Sequence, residues 1–267
     1  MFEYIADNEP TIRLSFFLGT LALVGLWETI APKRTPSVSK LWRWTNNFGV
    51  TFLNTFLLRI LFPILAVGAA AVAVENGWGL FNIIDLPPVV AIILAVILQD
   101  LVIYWQHVVF HHFPILWRLH KMHHADVDYD VSTGARFHPI EIGLSMLLKL
   151  AVVFALGPPI VAVIIFEILL SSVAMFNHAN AGLPKPVDKI LRLFIVTPDM
   201  HRVHHSVIRA EHNHNFGFNL PWWDYMFRTY TAEPTEGHDG MTIGLNEYQK
   251  NKKQSVFWML ALPFVKR

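Results

Sequence analysis

The chain has 267 residues, of which 54% are hydrophobic and only 15% are charged, and its formal net charge is +1. Soluble domains carry about 25% charged residues, so the deficit indicates contact with lipid, and the near-neutral charge argues against a protein that binds nucleic acid. The sequence contains no cysteine, which excludes disulfides, thiolate catalysis and cysteine-ligated metal centres.

Five apolar stretches follow one another along the chain, and each is a candidate transmembrane helix, which needs roughly 17 to 25 residues. The acidic residues that precede the first stretch are not typical of a cleaved signal peptide. The last two stretches meet at Gly157-Pro158-Pro159 and are short enough to form a re-entrant hairpin instead of two spans. The pattern predicts an all-α, polytopic membrane helix bundle. The stretches cover residues 14–30, 50–74, 88–110, 140–156 and 159–176.

Charged residues in the loops predict the orientation of this bundle. The loop after the first stretch is basic, whereas the loop after the second contains Glu75 and Asp85 and no base. Basic loops remain in the cytoplasm, so we expect five spans, an outside N-terminus and a cytoplasmic helical cap that contains the histidines. Lys149 and Glu167 lie at similar distances on either side of the turn at Pro158, and we expect them to form a structural ion pair.

Histidine is the residue type that points to chemistry, because 13 of the 14 histidines lie between His107 and His214. In the third stretch, Asp100, Tyr104, His107 and His111 have a spacing of four, three and four, which places them on one helical face. Two imidazoles on one face can chelate a metal ion. Asp100 is a candidate acceptor for the second N–H of such an imidazole, with Tyr104 beside it. The alternative for both residues is a buried polar cluster that joins helices.

The pattern His-x-x-His-His then occurs twice, at 120–124 and at 201–205. On a helix, positions one, four and five share a face, so each copy supplies three ring nitrogens. His138, before the fourth stretch, and His178, at the end of the fifth, are further candidates. For His138 the alternative is a role in orienting a ligand or in starting the helix. The ten candidate metal ligands are His107, His111, His120, His123, His124, His138, His178, His201, His204 and His205.

Ten ring nitrogens exceed the four that a zinc ion takes and suit two metal ions with positions left open. Imidazole binds iron, copper, nickel and zinc, so the spacing does not choose the metal. Two functions for such a metal-binding membrane protein can be weighed on the sequence alone. A membrane metallohydrolase requires a motif such as HExxH, which is absent. A metal transporter requires ligands near the middle of the spans, whereas most of these histidines lie between the spans.

The ordered motifs resemble the fatty acid hydroxylase and sterol desaturase superfamily over residues 98–230. One departure is Arg228, which stands where members often have glycine and which bears on substrate preference. The matching elements are Asp100-Leu-Val-Ile-Tyr104-Trp-Gln-His107, Leu119-His-Lys-Met-His-His124, Arg136-Phe-His-Pro139, Pro198-Asp-Met-His-Arg-Val-His-His-Ser206 and Asn215-Phe-Gly-Phe-Asn-Leu-Pro-Trp-Trp-Asp224.

Three regions are expected from the extent of this resemblance. We expect His212 and His214, which precede the last matching element, to lie at the surface; the alternative is that they support the metal ligands. The apolar run at 256–265 is too short to span a bilayer and is expected at the membrane interface. The regions are an N-terminal transmembrane region at 1–97, a catalytic region at 98–230 and a C-terminal tail at 231–267.

The resemblance implies a membrane-embedded, non-haem centre of two iron ions that uses dioxygen and two electrons to hydroxylate or desaturate an aliphatic carbon. The sequence has no flavin or nicotinamide motif, so we expect electrons from a separate reductase or ferredoxin-like protein. Arg202 and Lys185 are candidate contacts for it. The alternative, favoured for Lys185, is that these charges only set the membrane orientation. We expect an apolar tunnel through which a lipid or sterol-like substrate reaches the metals. Trp222 and Trp223 are expected to anchor the protein in the membrane. Substrate identity, oligomeric state and the choice between the two reactions stay open.

Overall fold

The computed structural model describes residues 2–250 and 254–265. Within these residues the chain is helical, with two isolated β-bridges and no strand, which confirms the all-α prediction. The α-helices are α1 Phe2–Asp7, α2 Glu9–Ile30, α3 Lys40–Leu61, α4 Ala66–Glu75, α5 Pro88–His112, α6 Pro114–His124, α7 Pro139–Leu156, α8 Ile160–Asn177, α9 Lys185–Leu191, α10 Pro198–His204, α11 Arg209–His212, α12 Trp222–Phe227, α13 Gly237–Gly240 and α14 Val256–Ala261.

Five helical segments of the described chain are long and apolar enough to cross a membrane, as predicted. Large apolar side chains cover their outer surface: Leu23 is 73% exposed and Phe52 is 77% exposed. Soluble proteins rarely expose a continuous apolar surface of this kind, so the exposure fits a lipid environment. The segments are Glu9–Ile30, Lys40–Asn82, Pro88–His112, Pro139–Leu156 and Ile160–Asn177.

The second predicted span, at 50–74, is wrong in its bounds. The structure starts α3 ten residues earlier, at Lys40, and interrupts the helix between Leu61 and Ala66. One face of the early turns of α3 is polar and buried, and its Arg43 forms ion pairs with Asp126 and Asp130. The interruption contains Pro63, which has no N–H for a helical hydrogen bond.

Helix α8 lies at the centre of the bundle and packs against α2, α4 and α5. Its connection to α7 turns at Gly157, which has a left-handed φ of 57°. A Cβ atom there would lie 2.0 Å from the Trp78 carbonyl oxygen, so only glycine allows this close approach. The predicted pair between Lys149 and Glu167 is confirmed, with 3.2 Å between Nζ and Oε1.

We call residues 113–138 and the described residues from 178 onwards the cap. Arg43 of α3 ties the cap to the helix bundle through an ion pair with Asp126. The apolar run at 256–265 lies within the cap, where Met259 and Leu262 are buried, while Phe257 is 84% exposed. The cap is therefore built from a middle segment and from the C-terminal part of the described chain.

Candidate metal centre

A sharp corner between α5 and α6 brings the first candidate ligands together. Phe113 precedes a proline and is extended, with φ −90° and ψ 117°, so α5 ends there and α6 begins in a new direction. Ring centroids are 5.0 Å apart for His107 and His120, and 4.7 Å apart for His111 and His124. The histidines of α5 and those of α6 thus come together in one cluster.

Helix α10 carries most of the second His-x-x-His-His pattern, and the residues at its N-terminal end favour the start of a helix. The side chain of Thr197 accepts a hydrogen bond from the Met200 N–H at 3.3 Å, and Pro198 occupies the first helical turn. The ring centroids of His201 and His178 are 4.5 Å apart. The C-terminal end of α8 therefore meets α10 in the cap.

Nine of the ten candidate histidines converge in two groups, and within each group the ligand atoms lie within 4.8 Å of one another. All nine positions are buried. The first histidine group is His107, His111, His120, His124 and His204, and the second histidine group is His123, His178, His201 and His205.

The hydrogen bonding of these imidazoles fits bound metal ions. The Nε2 atoms of His111 and His124 are 3.1 Å apart, and those of His123 and His178 are 3.2 Å apart. Several other buried ring nitrogens have no hydrogen-bond partner, and an unpartnered buried polar atom is costly. A cation would satisfy one nitrogen of each ring. The unpartnered atoms are Nε2 of His107, His120 and His204, Nδ1 of His124, and both ring nitrogens of His201 and His205.

Backbone carbonyls orient the ligating rings. Nδ1 of His107 lies 2.8 Å from the Phe216 carbonyl oxygen, and Nδ1 of His178 lies 2.7 Å from that of Ala174. A ring that donates its Nδ1 hydrogen to a carbonyl presents the lone pair of Nε2. His204 has the same arrangement. We assign the tautomers from these partners.

Lowered pKa values favour the neutral imidazole, the form that binds metal, in six of the cap histidines. Burial lowers the pKa of the His178 imidazole to about 3. Burial, followed by repulsion from neighbouring imidazoles, lowers the pKa well below its ordinary value for His123, His124, His201, His204 and His205.

Glu141 belongs to the centre and was missed in the sequence. Its Oε1 lies 2.6 Å from Nδ1 of His120, and both side chains are buried. Its second oxygen, Oε2, has no partner. A carboxylate on the outer nitrogen of a ligating imidazole fixes the ring and increases its basicity. The available signal was an acidic residue in the first turn of an apolar helix.

His138, a predicted ligand, is in neither group. Its Nδ1 accepts a hydrogen bond from the Ile140 N–H at 3.2 Å, and its Nε2 lies 3.3 Å from the Leu260 carbonyl oxygen. Both ring nitrogens are therefore engaged at the start of α7. The alternative considered for this residue, a role in starting the helix, agrees with this geometry.

Asp100 is buried on the predicted helical face but does not contact an imidazole. Its carboxylate accepts hydrogen bonds from the backbone N–H groups of Asn219 and Leu220 and from the Trp223 indole at 2.8 Å. It therefore holds the loop whose Phe216 carbonyl orients His107. The Tyr104 hydroxyl lies 2.9 Å from Thr229 Oγ1, so this side chain contacts the segment that follows α12.

Three further expectations were wrong because the side chains are buried. Trp223 is 6% exposed and donates to Asp100, so it is not a membrane anchor, whereas Trp222 is 40% exposed. His212 stacks on Trp117 inside the cap, with ring centroids 5.4 Å apart, and does not lie at the surface. Arg202 is fully buried and pairs with Asp199, so it cannot meet a partner protein.

A cavity of about 270 Å³ reaches the first histidine group from within the bundle. Apolar side chains from α5, α7, α8 and the cap line much of it, including Ile103, Phe110 and Leu170. It starts at His107 and His120 and extends to Arg13, Lys149 and Glu167. An alkyl chain in this cavity would point at the histidines.

The fatty acid hydroxylase family model matches residues 92–229. The chain is 26% identical over 225 residues to an ornithine lipid hydroxylase of Rhizobium tropici, which covers 82% of this chain and 66% of the relative. It is 30% identical over 151 residues to human alkylglycerol monooxygenase, covering 57% of this chain and 33% of the relative.

A very-long-chain aldehyde decarbonylase of Oryza sativa is 26% identical over 155 residues, which is 54% of this chain and 24% of that relative. The chain thus spans between about a quarter and two thirds of the length of these relatives. No solved structure is significantly similar to it. The family match covers more than half of the chain and includes both histidine groups, so the chain belongs to the fatty acid hydroxylase family.

Proposed function

We propose that this chain is a membrane oxidoreductase that uses two iron ions and dioxygen to hydroxylate an aliphatic carbon of a lipid. The observation that carries the proposal is the pair of buried histidine groups at the end of an apolar helix bundle, with a cavity between the helices that leads to them. An unactivated C–H bond has no charge for acid–base catalysis to act on, so its oxidation requires the redox chemistry of a cofactor.

We assign the first histidine group to one iron ion and the second to the other, with Asp100, Tyr104 and Glu141 in positioning roles. Iron held by these nitrogens would supply the redox chemistry. The protein orients the rings through the carbonyls of Phe216 and Ala174 and through the Glu141 carboxylate. The apolar cavity wall holds the alkyl chain and keeps water from it.

The names of two relatives, an ornithine lipid hydroxylase and an alkylglycerol monooxygenase, support hydroxylation of a lipid over desaturation. The basic loop after α2 supports a cytoplasmic cap and an outside N-terminus. In place of Arg202, we propose that a separate electron donor with an acidic surface docks near the exposed residues Arg118 and Arg209. They line a second cavity that includes the first-group ligand His111.

Iron content of the purified protein tests this proposal. Protein isolated in detergent after growth with iron-57 should contain about two irons per chain, coupled in the Mössbauer spectrum. His204→Ala should lose the iron of the first group, and His123→Ala that of the second. Electron delivery from a chemical reductant should then produce a hydroxylated lipid that is detected by mass spectrometry.

His138→Ala is the matched control, because His138 lies in the same sequence region but in neither group. It should retain both irons. One zinc ion per chain, or iron that survives both ligand substitutions, would overturn the di-iron assignment. Ester hydrolysis by the zinc form would favour a metallohydrolase, and metal flux in vesicles without oxygen consumption would favour a transporter.

A further inference from the structure

Three charged side chains from different helices meet at the end of the cavity that is far from the histidines. Lys149 Nζ lies 3.2 Å from Glu167 Oε1, and Arg13 Nη2 lies 3.0 Å from Glu167 Oε2. Glu167 is 7% exposed and Lys149 is 18% exposed. Charges within membrane-spanning helices are expensive and mark functional sites by default. An ion pair between Lys149 and Glu167 would be enough to join α7 and α8. It does not explain why Arg13 and a cavity are also present at this position.

The groups of this cluster that can still form hydrogen bonds with a ligand are N–H donors. Both oxygens of Glu167 accept from a cation, and Arg13 also pairs with Glu9 outside the cavity. Lys149 has three N–H donors, of which one is used by Glu167. This end of the cavity therefore suits an oxyanion of a ligand.

The distance from this cluster to the histidines is set by α7. Glu141, Ser145 and Lys149 have a spacing of four, so they lie along one helical face, and all three line the cavity. At 1.5 Å per residue, Lys149 lies about 12 Å along the helix from Glu141, which contacts His120. The cavity volume of about 270 Å³ is small for a ligand site, so it holds one alkyl chain rather than two.

We propose that Lys149, supported by Arg13, binds the carboxylate or phosphate head of a single-chain amphiphile. Its alkyl chain then runs along α7, and a carbon about 12 Å from the head lies at the first histidine group. The cluster is thus a headgroup site that sets which carbon faces the metals. The oxidation of that carbon rests on the proposed function, but the binding does not.

Ligand binding by the purified protein in non-ionic detergent tests this site without turnover. The probes are hexadecanoate, hexadecyl phosphate and uncharged methyl hexadecanoate. We expect at least one of the two anionic probes to bind about tenfold more tightly than the methyl ester, since a hydrogen bond to a charged group contributes about 1.5 kcal/mol or more. The difference between the two anions identifies the preferred head.

Two variants of the same ion pair separate headgroup binding from a structural role. Lys149→Met should abolish the preference for the anion and leave binding of the methyl ester unchanged. Glu167→Gln removes the competing carboxylate and should strengthen anion binding or leave it unchanged. Equal binding of all three probes to the wild type, or loss of anion binding in both variants, would overturn the headgroup site.

These outcomes are independent of iron. A protein that holds two irons and shows no preference for a charged head would leave the proposed function standing and reject the headgroup site. A protein that shows the preference but lacks iron would support the headgroup site and reject the proposed function.

Discussion

Some of the carbonyl groups that orient the imidazoles come from other segments of the chain. His107 is held by Phe216, and His123 by Arg136. The ligands themselves were predictable, because a spacing of three or four residues on a helix brings side chains together locally. Their carbonyl partners were not, since every residue has a carbonyl and no residue type marks the one that will be used.

His138 and Glu141 show how one helix start decides between two candidates. Pro139 begins α7, so His138 is the residue before the helix and its ring bonds to the Ile140 N–H. Glu141 lies within the first turn and faces His120. The spacing between motifs predicted that His138 takes part in the metal centre. In the structure, the direction of α7 places the Glu141 carboxylate at the centre instead.

Glu141→Gln tests this role at the scale of one residue. We expect the metal affinity of the first histidine group to fall by about 10- to 100-fold, because the amide no longer provides the negative charge that orients and polarises His120. Competition with a chelator of known affinity measures the change, and the second group should keep its metal.

Glu236→Gln is the matched control, because Glu236 is exposed and touches neither group. Equal metal affinity in both variants would show that Glu141 is a bystander.

At the scale of elements, two buried carboxylates hold the loop between α11 and α12. Asp100 accepts from Leu220 and Trp223, and Asp224 accepts from the N–H groups of Phe216 and Gly217 at 2.8 Å each. The predicted position of Asp100 was correct, but its partner could not be read from α5 alone. The partners Asn219 and Leu220 lie 119 and 120 residues further along the chain.

Asp100→Asn should lower the midpoint of thermal unfolding. An amide keeps one acceptor oxygen and turns its NH₂ group towards donors, so we expect a loss of about 2 kcal/mol and weaker metal binding by the first group. Circular dichroism of the detergent-solubilised protein measures the midpoint. Asp85→Asn, at an exposed loop position, is the control, and an Asp100 variant as stable as this control would contradict the assigned role.

At the scale of the whole molecule, contacts with the cap join the three expected regions. Arg43, from the first region, pairs with Asp126 in the second. Gln254, from the third, donates to the Ala125 carbonyl oxygen at 2.6 Å. The bundle itself followed from apolar runs of sufficient length. These contacts between regions could not be predicted, because a single charged or amide residue in a sequence does not indicate which residue it will contact.

Metal removal should destabilise the protein, because ligands that bind only the native state shift unfolding by mass action. At free iron about 100-fold above Kd, each site contributes about 2.7 kcal/mol. Thermal unfolding before and after chelation, and again after addition of Fe²⁺, measures this. The double variant His123→Ala/His204→Ala should show no iron-dependent shift, and a shift as large as in the wild type would place the metal elsewhere.

The last ligands of both histidine groups are neighbours, His204 and His205. Neither group is complete until the ribosome has passed these residues, and all five apolar segments precede them. Membrane insertion of the growing chain therefore begins before either metal can be fully held. Under the proposed function, we therefore expect iron to bind to a helix bundle that is already inserted.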